Sequence, residues 1–210
     1  VKESRDHEFT APLDGARSGR LILAPGAGDV QIEADERLPG LCRARFEGCV
    51  PGVQADEGVV TIRYRSVPFV DWLGHPRQPR AAICLNGSIP WEIELRGSLS
   101  HLAADLAGLL LRSLDLNSSA AEVEIRLPRP SGTAYVHAAG SLGSLVLRRP
   151  TGVALRIQVS GSSGVLAFDG TRLVAAPGGV QWQTPSYPTE VDRYDVRISG
   201  TAGELTVGTW

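Results

Sequence analysis

The chain has 210 residues, with 21 Lys+Arg against 23 Asp+Glu and a formal net charge of −2. Lys2 is its single lysine, methionine is absent, and 24 Gly and 14 Pro accompany 42% hydrophobic content. With no lysine beyond the second position and no GK[ST], Schiff-base and P-loop chemistry are excluded. A near-neutral chain without a basic run is not a nucleic-acid binder.

In chain order, Leu21 and Leu23, then Val30 and Ile32, predict two strands around Ala24-Pro25-Gly26-Ala27-Gly28-Asp29. Two more are expected over Leu41 to Phe46 and Val59 to Tyr64. Residues 66–90 read as a Pro/Arg-rich excursion. Strict alternation follows in Trp91, Ile93 and Leu95 against Glu92 and Glu94, and in Val123, Ile125 and Leu127 against Glu122 and Glu124. Leu99, Leu102, Ala103, Leu106 and Leu110 also fit a helical pattern, but the strand spacing runs through them. Leu155, Ile157 and Val159 predict another strand. Residues 169–193 form a second excursion, and Val196, Ile198, Leu205 and Val207 close the chain.

The spacing carries more than the alternation. Leu95, Leu106, Leu116, Leu127, Ala138, Leu147, Ile157 and Phe168 follow one another at steps of 9 to 11 residues. Short strands at this spacing suit a sandwich or barrel, but near-equal steps favour a solenoid. Two strands per coil predict about 21 residues per coil, with alternate units stacked in parallel about 4.8 Å apart. The joints are rich in Gly, Pro, Ser and Asn, residues that turn the chain tightly. The expectation is one all-β solenoid domain over 1–210, with excursions at 66–90 and 169–193; the alternative is an antiparallel β-sandwich.

Cys42, Cys49 and Cys84 make an odd count. Cys42 and Cys49 could join across a turn in an oxidising compartment; buried free thiols are the plainer reading. No apolar run approaches the ~20 residues of a membrane span. A start at Val1 without methionine suggests a piece of a larger parent, whose missing N-terminal region could supply a membrane tether.

These motifs resemble the toast-rack domain, the adhesin-like β-solenoid found at the C-terminus of LiaF-type cell-wall-stress response proteins. VKESRDHEF with LILAPGAGDVQIEA is similar to the family's first unit, and LCRARFEGCVPGVQADEGVVTIRY to its next strand pair. IPWEIELRGSLSHLAADLAGLLLRSLDLNSSAAEVEIRLPRP, GSLVLRRPTGVALRIQVSG and YDVRISGTAGELTVGTW resemble its later steps. The resemblance implies a single-stranded, right-handed solenoid, attachment in many relatives to N-terminal transmembrane helices, and envelope-stress sensing, scaffolding or ligand binding without a known reaction. The sequence departs from the pattern in the 66–90 excursion and at Asn117-Ser118-Ser119-Ala120, where the family has Gly-Ala-Gly.

No HExxH, HxH, CxxC or GxSxG occurs, so no metal site or cofactor is expected. Parallel solenoids can carry glycan-cleaving carboxylate pairs. Glu92/Glu94 and Glu122/Glu124 lie an odd number of units apart, which predicts opposite sheets rather than one cluster. Arg126, Arg129, Arg148, Arg149 and Arg156 form a weak stripe, most simply paired with nearby carboxylates. The strongest site candidate gathers Phe69, Asp71, Trp72, His75, Arg77, Arg80 and Trp91, aromatic and arginine side chains of the kind enriched at binding hot spots. The competing reading is that the aromatics cap an open end of the solenoid; Tyr187, Tyr194 and Trp182 invite the same two readings. The expected function is a non-enzymatic sensor, scaffold or ligand-binding module of a bacterial envelope-associated protein. Its partner would be a protein or a cell-wall carbohydrate, and a homodimer is one assembly. The alternatives are a carbohydrate-active solenoid enzyme and a self-assembling structural module.

Overall fold

A computed structural model describes residues 7–24, 28–64, 79–174 and 179–210. Among these every regular element is a strand: β1 (His7–Ala11), β2 (Gly19–Ala24), β3 (Asp29–Asp35), β4 (Cys42–Glu47), β5 (Gly52–Asp56), β6 (Val59–Arg63), β7 (Arg80–Asn86), β8 (Pro90–Asp105), β9 (Leu110–Arg126), β10 (Thr133–Arg149), β11 (Ala154–Phe168), β12 (Thr171–Val174), β13 (Val180–Gln183) and β14 (Arg193–Thr209).

The long strands each turn one corner. In β8, Trp91, Ile93 and Leu95 point inward, Gly97 bends the chain at φ 91°, and Leu99, Leu102 and Ala104 point inward beyond it. β8, β9 and β10 stack in parallel, with Leu95 beside Leu116, 21 residues on, and Leu116 beside Ala138, 22 residues on. Each coil therefore lays one half on a first sheet and the other half on a second, with aliphatic ladders between them. The parallel pairing sets the sandwich alternative aside. The segment with the helical pattern instead continues β8 through Asp105 and turns over Leu106–Leu109 into β9.

The corners explain the glycines. Gly140, Gly200 and Gly161 stack at φ 121°, 130° and 133°, and a Cβ on Gly200 would sit 2.1 Å from the Gly140 carbonyl oxygen. Ser118 occupies this ladder in β9; its hydroxyl is buried without a partner.

Stacking departs from chain order at both ends. β2 and β3 lie between β8 on one side and β6 and β7 on the other, all in parallel. β14 lies between β10 and β11. Consecutive stacking, the simplest expectation from the repeat, thus fails where long connections let the chain step over one coil and return to fill it. The outermost coils are covered by antiparallel strands: β5 on β6, β4 and then β1 on β7, and β12 and β13 on β11. They close the edges that parallel coils leave open. The first excursion ends in one of these coils: Ala81, Ile83 and Leu85 alternate inward along β7, a pattern masked in sequence by the surrounding prolines and arginines.

Trp182 stacks on Phe168 with centroids 5.4 Å apart, which makes the second excursion a lid on the last coil. Tyr194 is buried and donates its hydroxyl to the Pro128 carbonyl at 2.8 Å. All three cysteines are free thiols, and burial, with Cys84 nearby, pushes the Cys42 thiol up to about 12.

Candidate binding groove on the second sheet

The outward residues of β7, β3 and β8 build a shallow groove of about 500 Å³. Strand register fixes its floor: Ala82 lies beside Gln31, and Gln31 beside Ala103. Small side chains on three adjacent strands leave the sheet surface low, while the neighbouring ladders stand up as walls.

One wall runs Glu47, Arg80, Asp29, His101, Glu122 across five neighbouring strands. Opposite charges lie side by side along it, an arrangement that stabilises cross-strand neighbours. Arg80 Nε donates to Asp29 Oδ2 at 3.2 Å, and His101 Nδ1 lies 3.0 Å from Glu122 Oε2. The other wall runs Arg43, Cys84, Glu33, Asp105, Arg126, with Arg126 donating to Asp105 at 3.2 Å. Asp29 and Glu33, on opposite walls, are four residues apart on one strand, or ~13 Å. Arg45 lies beside Ala82 at one end, where a second depression of about 260 Å³ adjoins the first.

The arrangement offers many hydrogen-bonding groups and little driving chemistry. Cys84 has its pKa raised, first by desolvation and then by Asp35, so it remains a thiol at neutral pH rather than a nucleophile. Among the described residues no group of three or more His, Cys, Asp or Glu could hold a metal ion. Glu92 and Glu94 lie on the half of β8 in the first sheet, whereas Glu122 and Glu124 lie on the half of β9 in the second. Glu94 is held by Arg20 at 3.1 Å and Arg96 at 2.6 Å, and these arginines, Arg96 foremost, lower its pKa.

Of the residues singled out in sequence, Arg80 stands in the groove wall. Phe69, Asp71, Trp72, His75 and Arg77 lie outside the described residues. Trp91 belongs to the core: its indole N–H donates to the Asn86 carbonyl at 2.7 Å, and its ring fills the space beside Gly19. No ligand reaches a side chain enclosed in this way, and the inward phase shared with Ile93 and Leu95 already signals it. The arginine stripe does not form a patch. Arg148 pairs with Glu124 at 3.3 Å, Arg126 also lies over the Trp210 ring, and Arg149 and Arg156 are engaged with Asp169 and Asp195.

Sequence reading missed two features. Gln31, Ala82 and Ala103 give no signal as a floor, because small outward residues are unremarkable until register aligns them. On the first sheet, the buried Asp195 carboxylate accepts from Arg156 and from the Tyr187 hydroxyl. The Tyr187 ring lies between the Arg156 and Arg193 guanidinium groups, each 4.8 Å from its centroid. This cluster pins the second excursion to the sheet.

A two-sheet parallel solenoid, closed at both ends by antiparallel strands, defines the class. The profile of Toast_rack_N, the N-terminal domain of toast_rack (DUF2154), matches residues 1–140, and the chain belongs to that family. In fold it is similar to a "putative cell adhesion protein" from Clostridium sporogenes: TM-score 0.78, 19% identity, 99% of this chain and 100% of that one. A "putative adhesin" from Bacteroides fragilis aligns over 100% of this chain and 98% of its own at 8% identity, with TM-score 0.34. No curated protein matches significantly. No helix among the described residues is long and apolar enough to cross a membrane.

Proposed function

We propose that this chain is a non-enzymatic binding module of a bacterial envelope-associated protein, and that its groove takes a cell-wall glycan. The carrying observation is the aligned floor Ala82, Gln31, Ala103 between two walls of charged and amide-bearing groups. An extended, hydroxyl-rich polymer fits a long, low, polar channel that runs across strands. A protein partner would call for buried aromatic or aliphatic anchors, and none of the residues lining the groove is aromatic or large and apolar except Val30 and Ile83 on the inward side. Phe69, Asp71, Trp72, His75 and Arg77 precede β7 in sequence and extend the proposed site with sugar-stacking and carboxylate-pairing groups. The family description and the adhesion titles of the fold neighbours support a binding role rather than a catalytic one.

The test is co-sedimentation of the intact chain with purified peptidoglycan. Ala103→Arg fills the floor from an exposed position, and Arg80→Ala removes a wall group; each should lower binding at least tenfold with unchanged circular dichroism. Binding that survives both substitutions excludes the groove. Turnover of the glycan, abolished by one carboxylate substitution, would establish the enzyme reading instead.

A further inference from the structure

β14 fills a slot between two strands that precede it in the chain. Arg193 lies beside Thr133 and Ala154, Val196 beside Val136 and Ile157, and Leu205 beside Leu145 and Leu166. The two partners of each β14 residue stand 21 residues apart, the same step that separates Leu95 from Leu116 where coils are consecutive. β10 and β11 are therefore in mutual register across the inserted coil. Gly140 and Gly161 both meet Gly200, and Gly143 and Gly164 both approach Gly203.

The slot's specificity lies entirely in its walls. β10 and β11 supply two parallel hydrogen-bonding edges, the glycine corners, and the apolar ladders that receive Tyr194, Val196, Ile198, Leu205 and Val207. These walls are joined directly, over residues 150–153. β14 arrives by a separate path whose last residues, 188–192, are exposed. Nothing in the slot distinguishes this chain's β14 from that of another copy. β2 and β3 also fill an internal slot, but β1 before them and β4 after them are paired within the same sheet and would have to move with them.

We infer that the β10–β11 slot is a strand-acceptor site, and that two copies of the chain exchange β14 reciprocally to form a swapped dimer. Every hydrogen bond and core contact of β14 is remade in the exchanged form, and only the path through 188–192 changes, the condition under which domain swapping costs little. Interconversion requires a strand of 17 residues to leave its slot, so the two forms exchange slowly.

The experiment uses the full chain with Cys42→Ala, Cys49→Ser and Cys84→Ser. One preparation also carries His137→Cys and the other Arg197→Cys, outward positions that face each other across the β10–β14 pair. The two are unfolded, mixed, refolded at high concentration and oxidised. The expected product is a cross-linked species of twice the monomer mass, whereas a chain carrying both cysteines, refolded dilute, closes the link within itself. Refolding that yields no link between chains overturns the inference. If the substituted background does not fold, the wild-type chain serves. A dimer that forms on concentrated refolding and persists for hours after dilution supports exchange; its absence, or dissociation within the mixing time, overturns it.

Discussion

Arg149 and Asp169 clasp the inserted coil between them. Arg149 Nη1 and Nη2 donate to the two Asp169 carboxylate oxygens at 2.8 and 2.7 Å, while Nε donates to the Val153 carbonyl at 2.9 Å and Nη1 reaches Gly208 of β14 at 3.3 Å. One guanidinium thus ties the end of β10, the end of β14 and the turn after β11. Its side chain is 4% exposed, so the geometry is held in a low-dielectric setting where a planar fork is worth more than a point charge. Arg149→Met should cost about 3 kcal/mol, the low end for a severed buried pair because Asp169 is a third exposed. Arg149→Lys should recover only part of that. Urea denaturation checks both, and a loss equal for Met and Lys would mean the fork is not what matters.

The corner ladder predicts unequal costs for two chemically identical changes. Gly132→Ala meets nothing within 4 Å and pays only for its left-handed backbone, about 1–2 kcal/mol. Gly200→Ala carries a comparable strain and also drives a methyl group into the Gly140 carbonyl, adding ~1–3 kcal/mol. Thermal melts of the two variants should separate clearly; equal midpoints would contradict the close stacking of corners.

Trp91 is the largest side chain in the interior, and its removal should be costly. Trp91→Ala leaves a cavity over Gly19 and the Asn86 carbonyl without its indole donor, a loss of about 3–5 kcal/mol. A variant that unfolds at nearly the wild-type urea concentration would place this ring outside the core.

Glu94 gives the pH dependence a sign. Its folded pKa is lowered, first by its hydrogen bond to Arg96 and then by that to Arg20. The charged form is therefore favoured by folding, and the unfolded group titrates at ~4.3. The stability it contributes is complete above that pH and is lost as pH falls through the lower folded value. Wild type and Glu94→Gln should differ by a constant amount at neutral pH and converge on acidification. A difference that grows as pH falls would reverse the assignment.

The fold was legible where one physical signal dominated. Alternation placed Ile93, Leu95, Val123, Ile125, Leu155 and Ile157 inward, and the spacing placed the glycine-rich joints at corners. Spatial order was not legible. The step from Leu147 to Ile157 is the same as its neighbours, yet β14 separates those two coils. Equal spacing reports the length of a coil, whereas which coils touch is decided by where the long connections lead. The groove failed for a related reason. Arg80 drew notice as an arginine among aromatics, but its partner Asp29 lies 51 residues away and the floor residues Ala82 and Ala103 carry no chemistry of their own. Trp91 was assigned by residue type to a binding cluster although its own alternation placed it in the core.

Hydrogen exchange on the intact chain, with and without soluble peptidoglycan fragments, tests the proposed binding face most directly. Protection should rise in 29–35, 80–86 and 101–105, the strands that build the groove, and remain unchanged along the first sheet at 113–117 and 193–199. Protection confined to the first sheet, or no change at fragment concentrations that saturate co-sedimentation, would contradict a glycan site on the second sheet.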